Sequence, residues 1–226
     1  MKQIATSRRR AAGWKEPEGR VFVVDDDQSV RRSLAVLLSM EDYKVETFAS
    51  AIEYLERPLP LGPACVILDV QLPRLDGPAL QRKLTEEGRV EQIVFITGHG
   101  DLPTGIDAMK RGAVDFLPKP FKDDDLLSAV ERALARSAEN WKQRGAIAEI
   151  RARLAKLTPR EFEVLRMVTA GLLNKQIGAE LGIALRTVKH HRARLMQKLG
   201  VVSVAELVTL AQKASMASGP SRPKEQ

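Results

Sequence analysis

Acids, a hydroxyl and an ammonium follow successive apolar segments in the first half of this sequence. A single acid at the end of a strand usually does no more than begin a turn. Here the groups suit a divalent cation and a phosphoryl group together. Asp25 and Asp26 follow residues 21–24, Asp69 follows 66–68, Thr97 follows 92–96, and Lys119 follows 113–117. This recurrence predicts one site to which all of these residues contribute.

Asp69 is the candidate nucleophile of this site, because a carboxylate can accept a phosphoryl group as an acyl phosphate. It would work beside the negative charges of Asp25 and Asp26, so the site requires a cation. Mg²⁺ prefers oxygen ligands and is the natural choice. Lys119 would neutralise one phosphoryl oxygen, and Thr97 would donate its hydroxyl to another. Lys119 also suits a simple ion pair with the acids, and the two roles are compatible.

The apolar segments alternate with patterns of helical spacing. Short apolar runs bounded by turn residues are typical of buried, parallel strands. Five strand–helix units predict an α/β fold, a doubly wound five-stranded parallel sheet with right-handed crossovers. In such a sheet the carboxyl ends of the strands face the ligand crevice, where the polar groups fall. The predicted strands are 21–24, 44–48, 66–69, 92–96 and 113–117, and the helices are near 30–38, 51–55, 77–86 and 104–111, with another from 123.

The composition is that of a globular protein with room for two domains. The chain has 226 residues, of which 44% are apolar and 29% charged, as in ordinary soluble domains. No apolar stretch approaches the roughly 18 residues that a membrane span needs. The basic N-terminus lacks the apolar segment of a signal peptide, and the single cysteine, Cys65, allows no disulfide within the chain. These features predict a cytoplasmic protein without membrane contact.

The net charge of +7 conceals an uneven distribution. Residues 21–136 carry 14 Lys and Arg against 20 Asp and Glu, which is a net −6. Residues 137–226 carry 16 against 7, which is a net +9, and the first 20 residues supply the remaining +4. An acidic half joined to a basic half predicts that only the second half meets a polyanion.

The segment between the two halves has a helical pattern. It runs on from Leu126 through Leu134 and Trp141 to Leu154, with mixed and basic charges. Gly145 is its only strong helix breaker. One long helix, or two helices joined near Gly145, would both fit. A solvated linker helix and a dimerising coiled coil are both open, although the apolar spacing slips near residues 141–147.

The basic half predicts a compact set of four helices. The first begins with a capping box of Thr158 and Glu161 and turns Phe162, Leu165 and Val168 inward. The second begins with Asn174 as its cap and ends at Gly182, the third covers residues 187–199, and the fourth covers 203–213. Two helices joined by a tight turn with a glycine form the helix-turn-helix signature.

The third of these helices carries the strongest sign of nucleic-acid binding. From Leu181 to Ala205 the sequence has no acid, whereas a merely solvated helix would normally mix in acids for ion pairing. A basic stripe favours phosphate binding, and the first turns of a recognition helix reach base edges. The stripe consists of Arg186, Lys189, His190, His191, Arg192, Arg194 and Lys198.

Residues 21–136 resemble the receiver domain of bacterial two-component response regulators. The acidic pair, the lone Asp, the Thr and the Lys-Pro pair match that family in order and spacing. The resemblance implies that Asp69 is the phosphoacceptor and that Asp26, Asp69 and the backbone carbonyl of Gln71 bind Mg²⁺, with Asp25 acting through water. It also implies that Thr97 is a switch residue together with Phe116, whose position usually holds an aromatic side chain that swings inward on activation.

Residues 158–213 resemble a LuxR-type helix-turn-helix, so the chain as a whole resembles a response regulator of the NarL/FixJ class. The match lies in residues 157–161, in Gly171 with 174–177, and in 187–189. By this resemblance Lys189 and His190 occupy positions that face the bases of double-stranded DNA. On a helix that starts near Thr187, Ala193 or Arg194 would project from the first turns beside them, and Thr187 belongs to the same contact region. Arg186, Arg192 and Lys198 flank these positions, where they suit the phosphates.

The sequence therefore predicts a DNA-binding transcriptional regulator and not an enzyme. The regulator would receive its phosphoryl group from a sensor histidine kinase and form a homodimer when phosphorylated. The alternative is a Mg²⁺-dependent phosphotransferase or phosphatase with Asp69 as nucleophile, for which no further substrate pocket is evident. The predicted organisation is a flexible extension (1–20), a receiver domain (21–136), a helical linker (137–156), a DNA-binding domain (157–213) and a flexible tail (214–226).

Overall fold

The computed structural model describes residues 19–98 and 102–216. The chain divides into two compact units, Met1–Lys142 and Gln143–Gln226, and each is described by itself. Most of the predicted N-terminal extension and of the predicted tail, residues 1–18 and 217–226, lies outside the described residues. Among the described residues, no helix has both the length and the apolar character that crossing a membrane would require.

The N-terminal unit alternates strands and helices as the sequence predicts. Its strands are β1 (Arg20–Val24), β2 (Lys44–Phe48), β3 (Ala64–Asp69), β4 (Gln92–Thr97) and β5 (Asp115–Pro118), and its helices are α1 (Gln28–Met40), α2 (Ala51–Glu56), α3 (Gly77–Glu86) and α4 (Leu102–Lys110), followed by α5 (Asp123–Leu154). All strands pair in parallel in the order β2-β1-β3-β4-β5. The predicted doubly wound sheet is confirmed. β5 starts two residues later than predicted: the Ala113 amide still bonds the Ala108 carbonyl of α4, and the Val114 amide makes the first bond to β4, at Ile93.

Two apolar layers enclose the sheet. One face packs on α1 and α5 through Leu34, Leu38 and Val130. The opposite face packs on α2, α3 and α4, where Tyr54 and Leu80 are fully buried. The central strand β3 is buried along its whole length, as is typical of a parallel sheet that is covered on both sides. These layers cover the faces of the sheet, so the polar residues at the carboxyl ends of the strands can meet beyond them.

α5 is one continuous helix of 32 residues, and no break occurs at Gly145. Its first half is fixed to the sheet by apolar packing, by an ion pair between Arg132 and Asp115 of β5, and by Ser137, which is fully buried. The Ser137 hydroxyl accepts a hydrogen bond from the amide of Ala64 at 2.9 Å and donates one to the carbonyl of Val90 at 3.4 Å. Ser137 therefore joins α5 to the amino-terminal ends of β3 and β4.

A buried cluster of charges lies at the same end of the sheet. The Arg57 guanidinium pairs with Glu91 at 2.7 Å and stacks 3.9 Å from the centre of the Phe22 ring. Arg89 also pairs with Glu91, at 2.9 Å, and the Tyr54 hydroxyl donates to the same carboxylate at 3.1 Å. The side chains of Arg57 and Glu91 are only 7% and 1% exposed, so removal of either one would leave a buried charge without its main partner.

The C-terminal unit is helical. Its helices are α6 (Pro159–Thr169), α7 (Asn174–Leu181), α8 (Leu185–Leu199) and α9 (Val204–Met216). The predicted capping box of Thr158 and Glu161 is confirmed. The predicted core side of α8 is also confirmed, since Val188, Leu195 and Leu199 are fully buried. Gly182 ends α7 with a φ of +64°, a conformation that favours glycine.

Three local predictions for this unit were wrong. Phe162 is 46% exposed, because the inward positions of α6 fall at Glu161, Val164, Leu165 and Val168. Asn174 is the first residue of α7 and not its cap, and the Gln176 side chain accepts a hydrogen bond from the Leu173 amide at 2.7 Å instead. α8 begins at Leu185, two residues before the predicted start. Its N-cap is Ala184, which makes no side-chain capping bond that the sequence could have revealed.

Candidate phosphoacceptor site and nucleic-acid interface

The structure brings the three predicted carboxylates together. Val24 and Leu68 pair in adjacent strands, so Asp25 and Asp69 follow side by side at the open edge. Each of Asp25, Asp26 and Asp69 offers one carboxylate oxygen that lies within 4.8 Å of the others. Asp25 is fully buried, Asp69 is 6% exposed, and Asp26 is exposed. Buried acids at such spacing need positive charge close by.

Lys119 supplies that positive charge from the end of β5. Its ammonium lies 2.7 Å from Asp25 Oδ2 and 3.3 Å from Asp69 Oδ1. The backbone holds Lys119 in place, since its amide donates to the Thr97 carbonyl at 2.6 Å. The Lys119–Pro120 peptide bond is cis. The ion pair and the proposed phosphoryl contact can therefore be made by the same side chain.

Two residues that sequence reasoning missed hold Asp25 in place. The Asp27 amide donates to Asp25 Oδ1 at 2.8 Å, while its carboxylate caps α1 by accepting from the Ser29 amide at 2.7 Å. The Arg31 guanidinium donates to the Asp25 carbonyl at 2.6 Å. An Asp that precedes a helical pattern is a capping signal and could have identified Asp27. The Arg31 contact had no such signal.

The electrostatics of the site favour a bound cation. Burial raises the pKa of the Asp69 carboxyl, Lys119 opposes the rise, and the charges of Asp25 and Asp26 add to it, so the pKa lies above its ordinary value. Burial alone would lower the pKa of Lys119, but its bonds and charge pairing with Asp25 and Asp69 raise it. Because neighbouring carboxylates resist the ionisation of Asp69, a divalent cation would stabilise the ionised form.

The donor set fits Mg²⁺. All three side chains offer carboxylate oxygens, which are the ligands that this cation prefers. The predicted fourth contributor, Gln71, follows β3 and lines a shallow depression together with Asp26 and Asp76. Oxygen ligands and an open, solvated depression suit a cation that retains several waters.

Thr97 and Phe116 occupy neighbouring strands. Thr97 is the last residue of β4 and is 1% exposed. Phe116, in β5, is half-buried, and its ring centroid lies 6.3 Å from that of Phe95. Gly105 in α4 leaves space for this ring, since a β-carbon there would lie 3.2 Å from two of the Phe116 ring carbons. Phe116 thus packs against both the sheet and α4.

The exposed face of α8 contains most of the predicted DNA contacts. Four basic side chains on it are exposed and recur at helical spacing, namely Arg186, Lys189, His190 and Arg194. Thr187 is half-buried in the first turn. Because α8 starts at Leu185, these residues lie in its first three turns, the part of a recognition helix that reaches base edges.

Two predicted DNA contacts are engaged within the unit. The Arg192 guanidinium donates to Asn174 Oδ1 of α7 at 2.8 Å. The Lys198 ammonium lies 2.6 Å from Glu161 Oε2 and also donates to the Lys156 carbonyl at 3.1 Å. Arg192 therefore links the two helices of the helix-turn-helix, and Lys198 is bound at the end of α8 opposite to the exposed contacts.

Comparisons with known proteins agree with this division. Residues 21–131 match the response regulator receiver domain family, and residues 155–211 match the LuxR family of bacterial regulatory proteins. The transcriptional regulatory protein FixJ of Azorhizobium caulinodans is 42% identical over 197 residues, which cover 87% of this chain and 93% of FixJ. Nodulation protein W of Bradyrhizobium diazoefficiens is 43% identical over 192 residues, or 85% of each chain.

Solved structures show the same similarity. The response regulator StyR, known from a low-resolution structure, is 46% identical and covers 87% of this chain and 100% of its own, with a TM-score of 0.76. Full-length FixJ from B. japonicum is 39% identical and covers 89% of this chain and 99% of its own, with a TM-score of 0.53.

Proposed function

The chain belongs to the response regulators that join a receiver domain to a LuxR-type DNA-binding domain. It is a DNA-binding transcriptional regulator controlled by phosphorylation, and we propose that Asp69 accepts the phosphoryl group. The observation that carries the assignment is the pairing of one ammonium, Lys119, with both Asp25 and Asp69. The domain limits proposed are 21–136 for the receiver, 137–156 for the linker and 157–213 for the DNA-binding domain.

Phosphorylation at Asp69 forms one bond and breaks one bond. The carboxylate oxygen attacks the phosphorus of a phosphohistidine, the P–N bond breaks, and the leaving imidazole takes up a proton. Lys119 moves its charge from the carboxylate pair to a phosphoryl oxygen, and the Thr97 hydroxyl donates to another. Asp26, Asp69 and the Gln71 carbonyl would hold Mg²⁺, with Asp25 acting through water, and the bound cation would supply charge neutralisation for the transferring group.

The switch proposed couples Asp69 to the face formed by α4, β5 and α5. Thr97 turns towards the new phosphoryl oxygens, and the space that it leaves favours the inward position of Phe116. The tight packing of Phe116 on Gly105 of α4 supports this route, because a change at the ring must be felt by that helix. The altered face then favours a homodimer. Sedimentation of the full chain with and without beryllofluoride tests this step, and an unchanged mass would remove dimerisation from the mechanism.

The kinase that supplies the phosphoryl group would dock beside the site. A groove borders Lys119 and is lined by α1 and by the segment that follows β5, including Val36, Met40 and Phe121. Val36 and Met40 are 62% and 65% exposed. Since a phosphohistidine must reach Asp69, its carrier must cover a surface next to the carboxylates. An amphipathic helix of a sensor kinase fits an apolar groove in this position.

The DNA-binding step assigned to α8 uses its exposed face. Lys189 and His190 read base edges in the major groove, and Thr187 and Arg194 contact the DNA beside them. Arg186 binds a phosphate, and Arg192 combines a flanking phosphate contact with its bond to Asn174. The net charge of +9 on residues 137–226 supports this assignment.

The experiment that tests the function compares DNA affinity with and without phosphorylation. A duplex is first selected from a random library by the wild-type chain and then titrated in the presence and absence of acetyl phosphate and Mg²⁺. Tighter binding with acetyl phosphate is expected for wild type and not for Asp69→Asn. If both proteins responded alike, Asp69 would not be the phosphoacceptor. An enzyme acting on separate phosphate esters would instead show turnover without any effect on DNA binding.

A further inference from the structure

The last turns of α5 and α8 exchange hydrogen bonds. The final carbonyls of a helix lack partners within that helix and attract cations, because the C-terminus carries partial negative charge. α5 ends at Leu154 and α8 ends at Leu199. Each of these ends carries a basic side chain that reaches a carbonyl at the end of the other helix or just beyond it.

Arg153 extends from α5 to α8. Its Nη1 donates to the Leu199 carbonyl at 3.2 Å, and its Nη2 donates to Glu149 Oε1 at 2.5 Å. The planar guanidinium can donate to both acceptors at once. A lysine ammonium, on a shorter side chain, would bind the two acceptors less well. Gly200, in the left-handed conformation, ends α8 close to this guanidinium.

Lys198 extends in the opposite direction, from α8 to the residues that follow α5. It donates to the Lys156 carbonyl at 3.1 Å and to Glu161 at 2.6 Å. Glu161 is 2% exposed and also accepts from the Thr158 amide at 2.8 Å as part of the capping box of α6. Lys198 thus joins α8 to the end of α5 and to the start of α6 at the same time.

This double contact fixes the far end of the DNA-reading helix. At a rise of about 1.5 Å per residue, Lys189 lies roughly 15 Å along α8 from Leu199. A tilt of α8 by about 10° would move Lys189 by roughly 2.6 Å, which is enough to break a hydrogen bond to a base. The contacts at residues 198 and 199 therefore oppose such a tilt, in addition to the burial of Val188 and Leu195.

We propose that Arg153 and Lys198 are positioning residues for DNA sequence reading, and that they act by clamping the end of α8 to the end of the linker helix. The inference rests on the proposed role of α8 as the reading helix. A positioning role differs from a phosphate contact in a measurable way. A clamp affects the discrimination between sequences, whereas a phosphate contact affects all sequences alike and changes the salt dependence of binding.

The test uses the full chain, the selected duplex and a scrambled duplex of the same composition, at several salt concentrations. Arg153→Gln and Lys198→Gln are compared with Arg151→Gln, which removes the same charge two residues away on α5. Each clamp variant is expected to lower the ratio of specific to scrambled affinity by about 5- to 10-fold, with an unchanged salt slope. Arg151→Gln is expected to keep the wild-type ratio.

The double variant Arg153→Gln/Lys198→Gln shows whether the two residues act through one clamp or through two independent contacts. Residues that act through one clamp lose discrimination less than multiplicatively when both are changed. The contrary result is a single variant that keeps the wild-type ratio of specific to scrambled affinity and lowers the slope of the salt dependence by about 0.9. That residue would then be a phosphate contact, and the proposal would be overturned. If wild type itself fails to discriminate between the duplexes, the proposed function fails, and not only the clamp.

Folding is checked by circular dichroism at the assay temperature. If Arg153→Gln is unfolded, Arg153→Lys takes its place, since an ammonium there keeps the charge but reaches only one of the two acceptors. A loss of about 2- to 3-fold in the affinity ratio is then expected. A wild-type ratio in that folded variant would count against the clamp.

Discussion

Gly77 lies so close to Asp69 that a β-carbon on it would come well inside 3.0 Å of the Asp69 carbonyl oxygen, a distance that such atoms essentially never show. The same β-carbon would lie 3.0 Å from the Phe95 ring. The Gly77 amide donates to the Val70 carbonyl at 3.0 Å. The first residue of α3 therefore lies directly against the backbone of Asp69, the proposed phosphoacceptor.

Gly77→Ala is expected to displace this turn. Overpacking of a filled site typically costs about 1–3 kcal/mol, and the shift should also slow phosphorylation by acetyl phosphate because it moves Asp69. Gly145→Ala is the matched control, since a β-carbon there meets nothing and alanine should stabilise a helix interior by roughly 0.5–1 kcal/mol. Urea unfolding and a phosphorylation time course measure both effects. A Gly77→Ala protein with wild-type stability and rate would contradict the close contact.

Asp69→Asn should abolish acid-labile phosphate incorporation and leave the fold intact. Burial and the neighbouring acids raise the pKa of Asp69, so its stabilising contribution is present at low pH and is lost as the pH rises through its folded pKa. The free energy of unfolding at pH 7 should therefore be equal to or above that of wild type. Asp107→Asn, on the surface of α4, is the control and should retain phosphorylation. Radiolabelled incorporation at wild-type level in Asp69→Asn would refute the assignment.

Lys189→Ala and Arg186→Ala should differ in kind. Loss of a base contact costs about 1–3 kcal/mol on the selected duplex and relaxes discrimination at one base pair. Loss of a phosphate contact at Arg186 should weaken binding to all sequences and reduce the salt slope by about 0.9. Titrations of both variants against selected and scrambled duplexes at several salt concentrations distinguish the two. Equal losses on both duplexes for Lys189→Ala would make it a phosphate contact.

Met40→Glu should impair phosphotransfer from a protein donor but not from a small one. A charge in the apolar groove beside Lys119 disfavours docking of a kinase helix, while acetyl phosphate still reaches Asp69. Ile52→Glu is the control, because Ile52 is also exposed, at 38%, but belongs to α2 in the opposite layer. The rates of transfer from a phosphorylated kinase and from acetyl phosphate are compared. Equal losses with both donors would place the defect in the site and not in docking.

Glu91→Gln tests the buried charge cluster. Burial by itself would raise the pKa of Glu91, but its backbone bond, the contacts with Arg89 and the charge of Arg57 lower it below the ordinary value of 4.5. The contribution of Glu91 to the free energy of unfolding is thus present above pH 4.5 and is lost as the pH falls through the pKa of Glu91 in the folded protein. Removal of one partner should cost about 3–5 kcal/mol at pH 7, and the difference from wild type should shrink below about pH 4.5. Glu46→Gln, in an exposed pair with Arg20, should show neither effect.

The sequence predicts the residues of the site more fully than the contacts that hold them in place. Asp25, Asp69 and Lys119 each end an apolar run, so the parallel sheet alone brings them to one edge. Gly77 and the Glu91–Arg57 pair depend on contacts between residues that are distant in sequence, and no local pattern marks them. No capping group at Ala184 marks the start of α8. The apolar side chain of Phe162 predicts burial, although its position along α6 turns it towards solvent. Lys198 is predicted as a phosphate ligand, and no local pattern marks its bond to Glu161, which lies 37 positions away.

Ser137 sets a practical limit for anyone who divides this protein. A fragment that ends at Arg136 would keep every carboxylate of the site and every strand, yet it would lose the hydroxyl that bonds Ala64 and Val90. Two backbone groups beneath the sheet would then be left to water or left unsatisfied, and buried groups of that kind cost about 1–3 kcal/mol each. Stability measured on a receiver fragment that ends at Arg136 would be lower than that of the same domain in the full chain. A fragment that extends through Lys142 would keep both hydrogen bonds of Ser137.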